Sequence, residues 1–227
     1  MPFAAERPVV IVNYKAYPAC VGRRAVDVTM ALARAAEGKR VGLAVAPQAA
    51  DLMRVAEAAP VTVLAQHVDA LPAGNGTGST LIESVKDAGA LGSLVNHAEK
   101  RLTLAEIGAV LARLRAAGLL SVVCSDTADT TRAAAALRPD FVAVEPPELI
   151  GGTVSVTSAD PAIVRDAVKL AKEVSPQVRV LCGAGIQNDD DLAAALKLGA
   201  EGVLLASAIT KAKDPGAALA ELLRGLP

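Results

Sequence analysis

The sequence predicts an α/β chain folded as a single-domain (β/α)8 barrel over residues 1–227. Three observations carry this. Eight short runs are apolar almost without interruption, the pattern of strands buried on both faces of a parallel sheet. A helical pattern follows each run. The runs begin at residues 9, 41, 62, 93, 120, 141, 179 and 203, so successive starts lie 21 to 38 residues apart, and no Ser/Gly/Pro-rich linker divides them. That spacing suits βα units. Right-handed crossovers between parallel strands favour closing eight of them into a barrel; an open doubly wound sheet is the alternative.

The strands are predicted at Val9–Asn13, Val41–Ala46, Thr62–Gln66, Ser93–Asn96, Leu120–Cys124, Phe141–Val144, Arg179–Cys182 and Val203–Leu205. After the first, Val21–Glu37 repeats apolar residues at Val21, Ala25, Val28, Leu32 and Ala35, close to the 3.6-residue period. Weaker helical patterns follow the second and third strands at Gln48–Ala58 and Thr80–Ala88. Thr103–Ala117 aligns Leu104, Ile107, Leu111 and Leu114 on one stripe, and Thr127–Leu137 is again weaker. Asp160–Val174 and Asp214–Leu223 both open with Asp-Pro, a capping residue before a proline at the first helical position. Asp189–Leu198 opens with three acidic residues, which suit a helix N-terminus. A short run, Ala208–Lys211, follows the last strand.

Composition narrows the function. Hydrophobic residues make up 52% and charged residues 21%, with 23 Lys plus Arg against 24 Asp plus Glu, a net charge of −1. This is globular composition without a whole-protein basic footprint, so neither nucleic acid nor an anionic membrane is an expected partner. The longest stretch free of charged residues, Ala70–Ile82, is broken by Pro72, Gly74, Gly76 and Gly78 and is not a membrane span. Met1–Val10 carries Glu6 and Arg7 and does not read as a signal peptide. Cys20, Cys124 and Cys182 are odd in number and widely spaced, so no disulfide framework or zinc site is indicated and a reducing cytoplasm is expected.

In such a barrel the chemistry sits at the C-terminal strand ends. Lys15 follows Asn13 by two residues, so on extended backbone both side chains point the same way, and an ammonium at the mouth suits an anionic ligand. A surface lysine is the plain alternative. His97 after the fourth strand can donate to a carbonyl oxygen or pair with an anion, or simply satisfy its own loop. His67 fits that second role better, and Glu99 reads equally as a local anchor or a solvated glutamate. Glu145 ends the wholly apolar run Phe141-Val142-Ala143-Val144, where partial desolvation raises a carboxylate's pKa and its strength as a base. Pro146-Pro147 and Gly151-Gly152 then bracket a segment readable as a mobile lid or as an ordinary long loop. Gly183-Ala184-Gly185 and Ala206-Ser207, after strands seven and eight, stand where phosphate sites lie in these barrels, although tight βα turns need small residues too. Cys124 and Cys182 read as small core residues, Tyr14 and Tyr17 as packing residues, and Asp126 as a helix cap.

Asn13-x-Lys15, Asn96-His97-Ala98-Glu99, Glu145-Pro-Pro-Glu-Leu-Ile-Gly151 and Cys182-Gly-Ala-Gly-Ile186 occur in this order along nearly the whole chain. As an ordered set they make the sequence resemble the triosephosphate isomerase family, in its short archaeal form. The resemblance implies the TIM barrel and interconversion of dihydroxyacetone phosphate and D-glyceraldehyde 3-phosphate, a step of glycolysis and gluconeogenesis. It implies Glu145 as base, His97 as electrophile, Lys15 as the cation of the site and Asn13 as its hydrogen-bonding neighbour, with a neutral histidine and a water-excluding loop. It also implies phosphate held by backbone N–H groups at Gly151, Gly185, Ala206 and Ser207, no cofactor and no metal, and a homodimer or homotetramer. Two features depart from the family pattern. The lid reads Gly151-Gly152-Thr153 where Gly-Thr-Gly is usual, and the loop Leu71–Ser79, which in the family reaches a neighbouring subunit, is unusually rich in glycine. Another phosphosugar enzyme on the same barrel, or a non-catalytic metabolite-binding barrel, are the competing readings, since fold alone does not choose chemistry.

Overall fold

A computed structural model of the chain describes Phe3 and residues 8–150, 152 and 155–226. Eight parallel strands close into a barrel in the order β1 to β8: β1 Val9–Asn13, β2 Gly42–Ala46, β3 Thr62–Ala65, β4 Gly92–Val95, β5 Leu120–Ser125, β6 Phe141–Val144, β7 Arg179–Gly183 and β8 Gly202–Leu205. The closed barrel replaces the open-sheet alternative. Its seam pairs Val9 with Gly202 and Val12 with Leu205. Only glycine fits at position 202. Its φ is +153°, and a Cβ there would lie 2.0 Å from the Val9 carbonyl oxygen.

Strand residues alternate between two apolar layers, because successive side chains point to opposite faces. Val9, Ile11, Leu64, Leu94, Val122, Cys124, Phe141, Ala143, Leu181 and Leu204 fill the barrel interior. Val10, Val12, Val45, Val63, Val123, Val142, Val180 and Val203 face the helices. With few aromatics the interior depends on branched aliphatics, each contributing about 1.5–3 kcal/mol on full burial. Phe3 and Phe141, with ring centroids 5.8 Å apart, close the floor, and the Arg179 guanidinium lies 4.9 Å from the Phe141 centroid.

The helices are α1 Arg23–Ala35, α2 Leu52–Ala58, α3 Ile82–Asp87, α4 Leu104–Ala117, α5 Ala128–Ala136, α6 Val156–Ala159, α7 Pro161–Val174, α8 Asp189–Lys197, α9 Ser207–Thr210 and α10 Pro215–Leu222. Their starts follow the expected caps. Asp160 and Asp214 accept backbone N–H groups of α7 and α10, and Asn188 does so for α8. Thr103 with Glu106 forms a capping box on α4.

Several expectations are corrected. Val21 is not part of the apolar stripe of α1; it is 43% exposed, because a 3-10 turn at Pro18–Cys20 and Gly22 at φ +64° redirect the chain before the helix starts. The stretch 48–58 is a 3-10 turn, Ala49–Asp51, followed by α2. Helix α6 was not expected; Ser155 caps it by accepting the Thr157 N–H. Asp126 is not the cap of α5. Thr127 is, while Asp126 accepts Thr130 Oγ1 at 2.6 Å and meets Arg101 at 3.1 Å.

Candidate active site

Strand parity aims the functional groups. In β1 the inward set Val9, Ile11 continues to Asn13, and in β6 the inward set Phe141, Ala143 continues to Glu145 just past the strand. Asn13, Lys15, His97, Glu145, Gly185, Ala206 and Ser207 all line one cleft at the C-terminal mouth of the barrel. Gly151 lies outside the described residues, as do Thr153 and Val154; Ile150 beside them lines the cleft.

Left-handed backbone concentrates at the mouth. Four described residues other than glycine have positive φ, and three of them are Lys15 (+47°), Asn96 (+62°) and Ala184 (+69°), all just after strands. Such conformations cost about 1–3 kcal/mol each and persist where the surroundings hold them. At Asn96 the holding groups are plain: its amide N–H donates to the Cys124 carbonyl at 2.9 Å, and its Oδ1 accepts the Leu102 N–H at 2.8 Å. The turn breaks strand parity and puts His97 into the mouth.

His97 is buried, and its Nδ1 accepts the Glu99 backbone N–H at 3.1 Å. That bond uses the Nδ1 lone pair and leaves Nε2 as the ring atom placed to donate toward a ligand. Lys15 is not a surface lysine. Its side chain is 10% exposed, and Nζ meets Glu99 Oε1 at 2.7 Å. Glu99 is therefore an anchor, for Lys15. Asn13 Oδ1 accepts the Lys15 backbone N–H at 2.9 Å, tying the two residues together. His67 has the local role expected of it, pairing with Asp69 at 3.1 Å.

Glu145 is buried, and its Oε2 has no partner among the described residues. Burial holds its carboxyl above the usual carboxylate range, offset only in part by His97 first, then by the Cys124 thiol and the Lys15 ammonium. Cys124 is thus more than a filler: burial first, and then the neighbouring Glu145, push its thiol pKa up. Cys182 is buried between sheet and helices as expected. A carboxyl that is desolvated, raised in pKa and unpartnered at one oxygen is equipped to take a proton from carbon.

Gly183 contributes in a way its motif did not announce. A Cβ there would fall 2.3 Å from Glu145 Cγ and 3.0 Å from Oε1. The missing side chain leaves the space the Glu145 carboxyl occupies, whereas Gly185 nearby has a positive φ, +74°. Gly183→Ala is expected to displace the carboxyl and cut kcat about 10²-fold, the cost of misplacing a reacting group by 1 Å, with KM changed far less. Steady-state kinetics on the folded variant check this; unchanged kcat would mean that the carboxyl finds its place without that space.

Tyr14 packs as expected, fully buried with its hydroxyl 2.7 Å from Thr29 Oγ1. Tyr17 does not only pack. It lines the cleft, with the Lys211 ammonium 4.9 Å from its ring centroid. Ile186, the last residue of the Cys182–Ile186 motif, lines the cleft too, as does Gln187, which no pattern in the sequence singled out. Helix α9 opens one residue earlier than expected, at Ser207, so its first N–H groups, which lack intrahelical acceptors, begin at the cleft. Among the described residues no group of three or more His, Cys, Asp and Glu is placed to hold a metal ion.

Comparison with known proteins agrees with this geometry. The family model described as Triosephosphate isomerase matches residues 8–225. Among curated relatives, the triosephosphate isomerase of Methanothermobacter thermautotrophicus is 50% identical over 218 residues, covering 96% of this chain and 95% of the relative. That of Methanosarcina mazei is 48% identical over 217 residues, covering 96% and 98%. That of Methanocaldococcus jannaschii is 44% identical over 216 residues, covering 95% and 99%.

Proposed function

Since the chain belongs to the triosephosphate isomerase family and interconverts dihydroxyacetone phosphate and D-glyceraldehyde 3-phosphate, we propose that Glu145, His97, Lys15 and Asn13 carry the reaction and that Gly185, Ala206 and Ser207 hold the phosphate. The supporting observation is the pairing in one cleft of a buried carboxyl lacking a partner at Oε2 with an imidazole whose Nδ1 is already occupied.

In this reading Glu145 removes a proton from C1 of dihydroxyacetone phosphate. The electron pair of the broken C–H bond forms the C1=C2 double bond, and negative charge passes to the C2 oxygen. His97 Nε2–H donates to that oxygen and Lys15 faces it with a positive charge, so the enediolate is stabilised where it forms. The same proton then returns from Glu145 to C2, the hydroxyl proton moves between the two oxygens, and the aldehyde leaves. Asn13 fixes the Lys15 backbone. Backbone N–H groups after β7 and β8 grip the phosphate and supply binding energy remote from the reacting carbons. Gly151 belongs to the same proposed phosphate set. The chemistry calls for no cofactor.

The acid limb of kcat/KM tests the base. This quantity reports the free enzyme, and only ionised Glu145 accepts a proton. Because burial raises the Glu145 pKa, activity toward D-glyceraldehyde 3-phosphate in a coupled assay is expected to fall, as pH drops, at a midpoint above the ordinary glutamate value of about 4.3. A limb at or below that value would remove Glu145 from the role. Larger phosphosugars in the same assay test the competing enzyme reading, and triose phosphate binding without turnover would mark a non-catalytic barrel.

No described helix is long and apolar enough to cross a membrane. The reading places this step of glycolysis and gluconeogenesis in the cytoplasm. It also carries the family's assembly as a homodimer or homotetramer, which light scattering would report as two or four times 23.0 kDa.

A further inference from the structure

The carbonyl of Lys15 is the focus of an interaction that the reaction scheme above does not use. Lys15 has φ +47°, a conformation that a long side chain adopts only when its surroundings impose it. Two glutamines from the ends of neighbouring strands impose it. Gln48, after β2, donates from Nε2 to the Lys15 carbonyl at 2.7 Å. Gln66, after β3, donates from its own Nε2 to the same oxygen at 2.9 Å. The glutamines also bond to each other, Gln48 Nε2 donating to Gln66 Oε1 at 3.0 Å, and Gln66 makes a second bond to the Ala46 carbonyl at 2.9 Å.

The donor count closes on itself. A side-chain amide has two N–H bonds to give, and a carbonyl has two lone pairs to receive them. Both N–H groups of Gln48 are used, both of Gln66 are used, and the Lys15 carbonyl receives one from each. The fourth contact anchors the ring to β2, whose end residue Ala46 also accepts the Tyr14 N–H at 3.0 Å. The Lys15 peptide is therefore fixed from outside its own loop, while Asn13 fixes it from within and Glu99 holds its ammonium.

We propose that Gln48, acting with Gln66 as a two-amide clamp on the Lys15 carbonyl, is a positioning residue that holds the Lys15 ammonium at the substrate anion. The proposal rests on the reading of Lys15 as the cation of the site. Neither glutamine needs to touch substrate. Each acts through the lysine backbone, where a small rotation of the peptide moves Nζ, at the far end of a four-carbon stem, by a larger distance.

The chemistry of the clamp makes its substitutions rank in an unusual order. Gln48→Glu keeps the shape but replaces both donors by acceptors that face a carbonyl oxygen. Gln48→Met loses the shape of the amide but adds no repulsion. If Gln48 only filled space, the glutamate variant would be nearer to wild type. If it clamps, the glutamate variant is worse: about 10²-fold down in kcat/KM, the cost of misplacing a reacting group by 1 Å, against roughly tenfold for methionine. Competitive inhibition by inorganic phosphate is expected to weaken in the same order, because the same ammonium meets both anions.

The experiment measures kcat, KM and the phosphate inhibition constant for wild type, Gln48→Glu, Gln48→Met and Lys15→Met, with thermal unfolding of each. Larger losses for glutamate than for methionine, at temperatures where all are folded, support the clamp. Should Gln48→Glu not fold, a loss of kcat/KM together with weakened phosphate inhibition in Gln48→Met supports it, and an unfolding shift with wild-type kinetics overturns it. Wild-type kinetics in both Gln48 variants beside an inactive Lys15→Met would overturn the clamp and leave the site reading standing. Wild-type turnover in Lys15→Met would overturn the site reading and the clamp with it.

Discussion

Glu145→Gln is expected to lose about 10²–10⁴-fold in kcat, the range a positioned proton-transfer group supplies, while the protein remains folded. The amide keeps the volume of the carboxyl, so the space opposite Gly183 stays filled. What changes is the proton affinity, since an amide does not accept a proton from carbon at neutral pH. Stability should move the other way. Burial raises the carboxyl's folded-state pKa above its unfolded value, so folding favours the protonated form. Below the unfolded pKa the group is neutral in both states and carries no penalty. As pH rises through the folded pKa the native protein must hold a desolvated charge, and that contribution is lost. The glutamine variant never bears the charge. Its thermal midpoint is therefore expected to equal that of wild type near pH 4 and to exceed it at pH 8. The assay and a pH series of thermal melts check both halves. Wild-type kcat would remove the base, and a lower midpoint at pH 8 would show that the carboxylate is better solvated in its cleft than its burial implies.

Lys15→Met is expected to lose about 10²–10³-fold in kcat/KM, the effect of removing one preorganised group that faces developing negative charge. Methionine preserves most of the stem, so the cleft keeps its shape. The partner left behind is Glu99, 59% exposed and able to turn to water, so the fold should lose no more than the 0–1 kcal/mol typical of exposed pairs. Competitive inhibition by phosphate should weaken in parallel, because ground-state anion and transition-state oxyanion share the ammonium. Kinetics with and without phosphate measure this. A variant within fivefold of wild type in kcat/KM would mean that the backbone N–H groups after β7 and β8 neutralise the anion unaided.

Much of this was legible beforehand because it is local. Near-continuous apolar runs marked all eight strands, but runs that do not alternate hide which residues face inward, so the barrel itself was needed to show Asn13 continuing the inward set of Val9 and Ile11, and Glu145 that of Phe141 and Ala143. Asp-Pro pairs marked the starts of α7 and α10, since capping needs only the residues of the first turn. Turn chemistry was less legible. The 3-10 turns at Pro18–Cys20 and Ala49–Asp51 and the short α6 lie in connections whose conformation depends on what they pack against.

The sequence by itself determined the strand count and singled out the carboxyl, imidazole and ammonium proposed for the reaction, because these follow from apolar runs and from side-chain chemistry at strand ends. Only the closed barrel decided their states. The Glu99 N–H occupies His97 Nδ1, the empty face of Gly183 leaves the space that Glu145 fills, and Gln48 and Gln66 reach the Lys15 carbonyl across 33 and 51 residues. Hydrogen-bond partners and excluded volume act over a few ångströms in space whatever the distance along the chain, and most of these neighbours meet only when separate strand ends are brought together around the mouth.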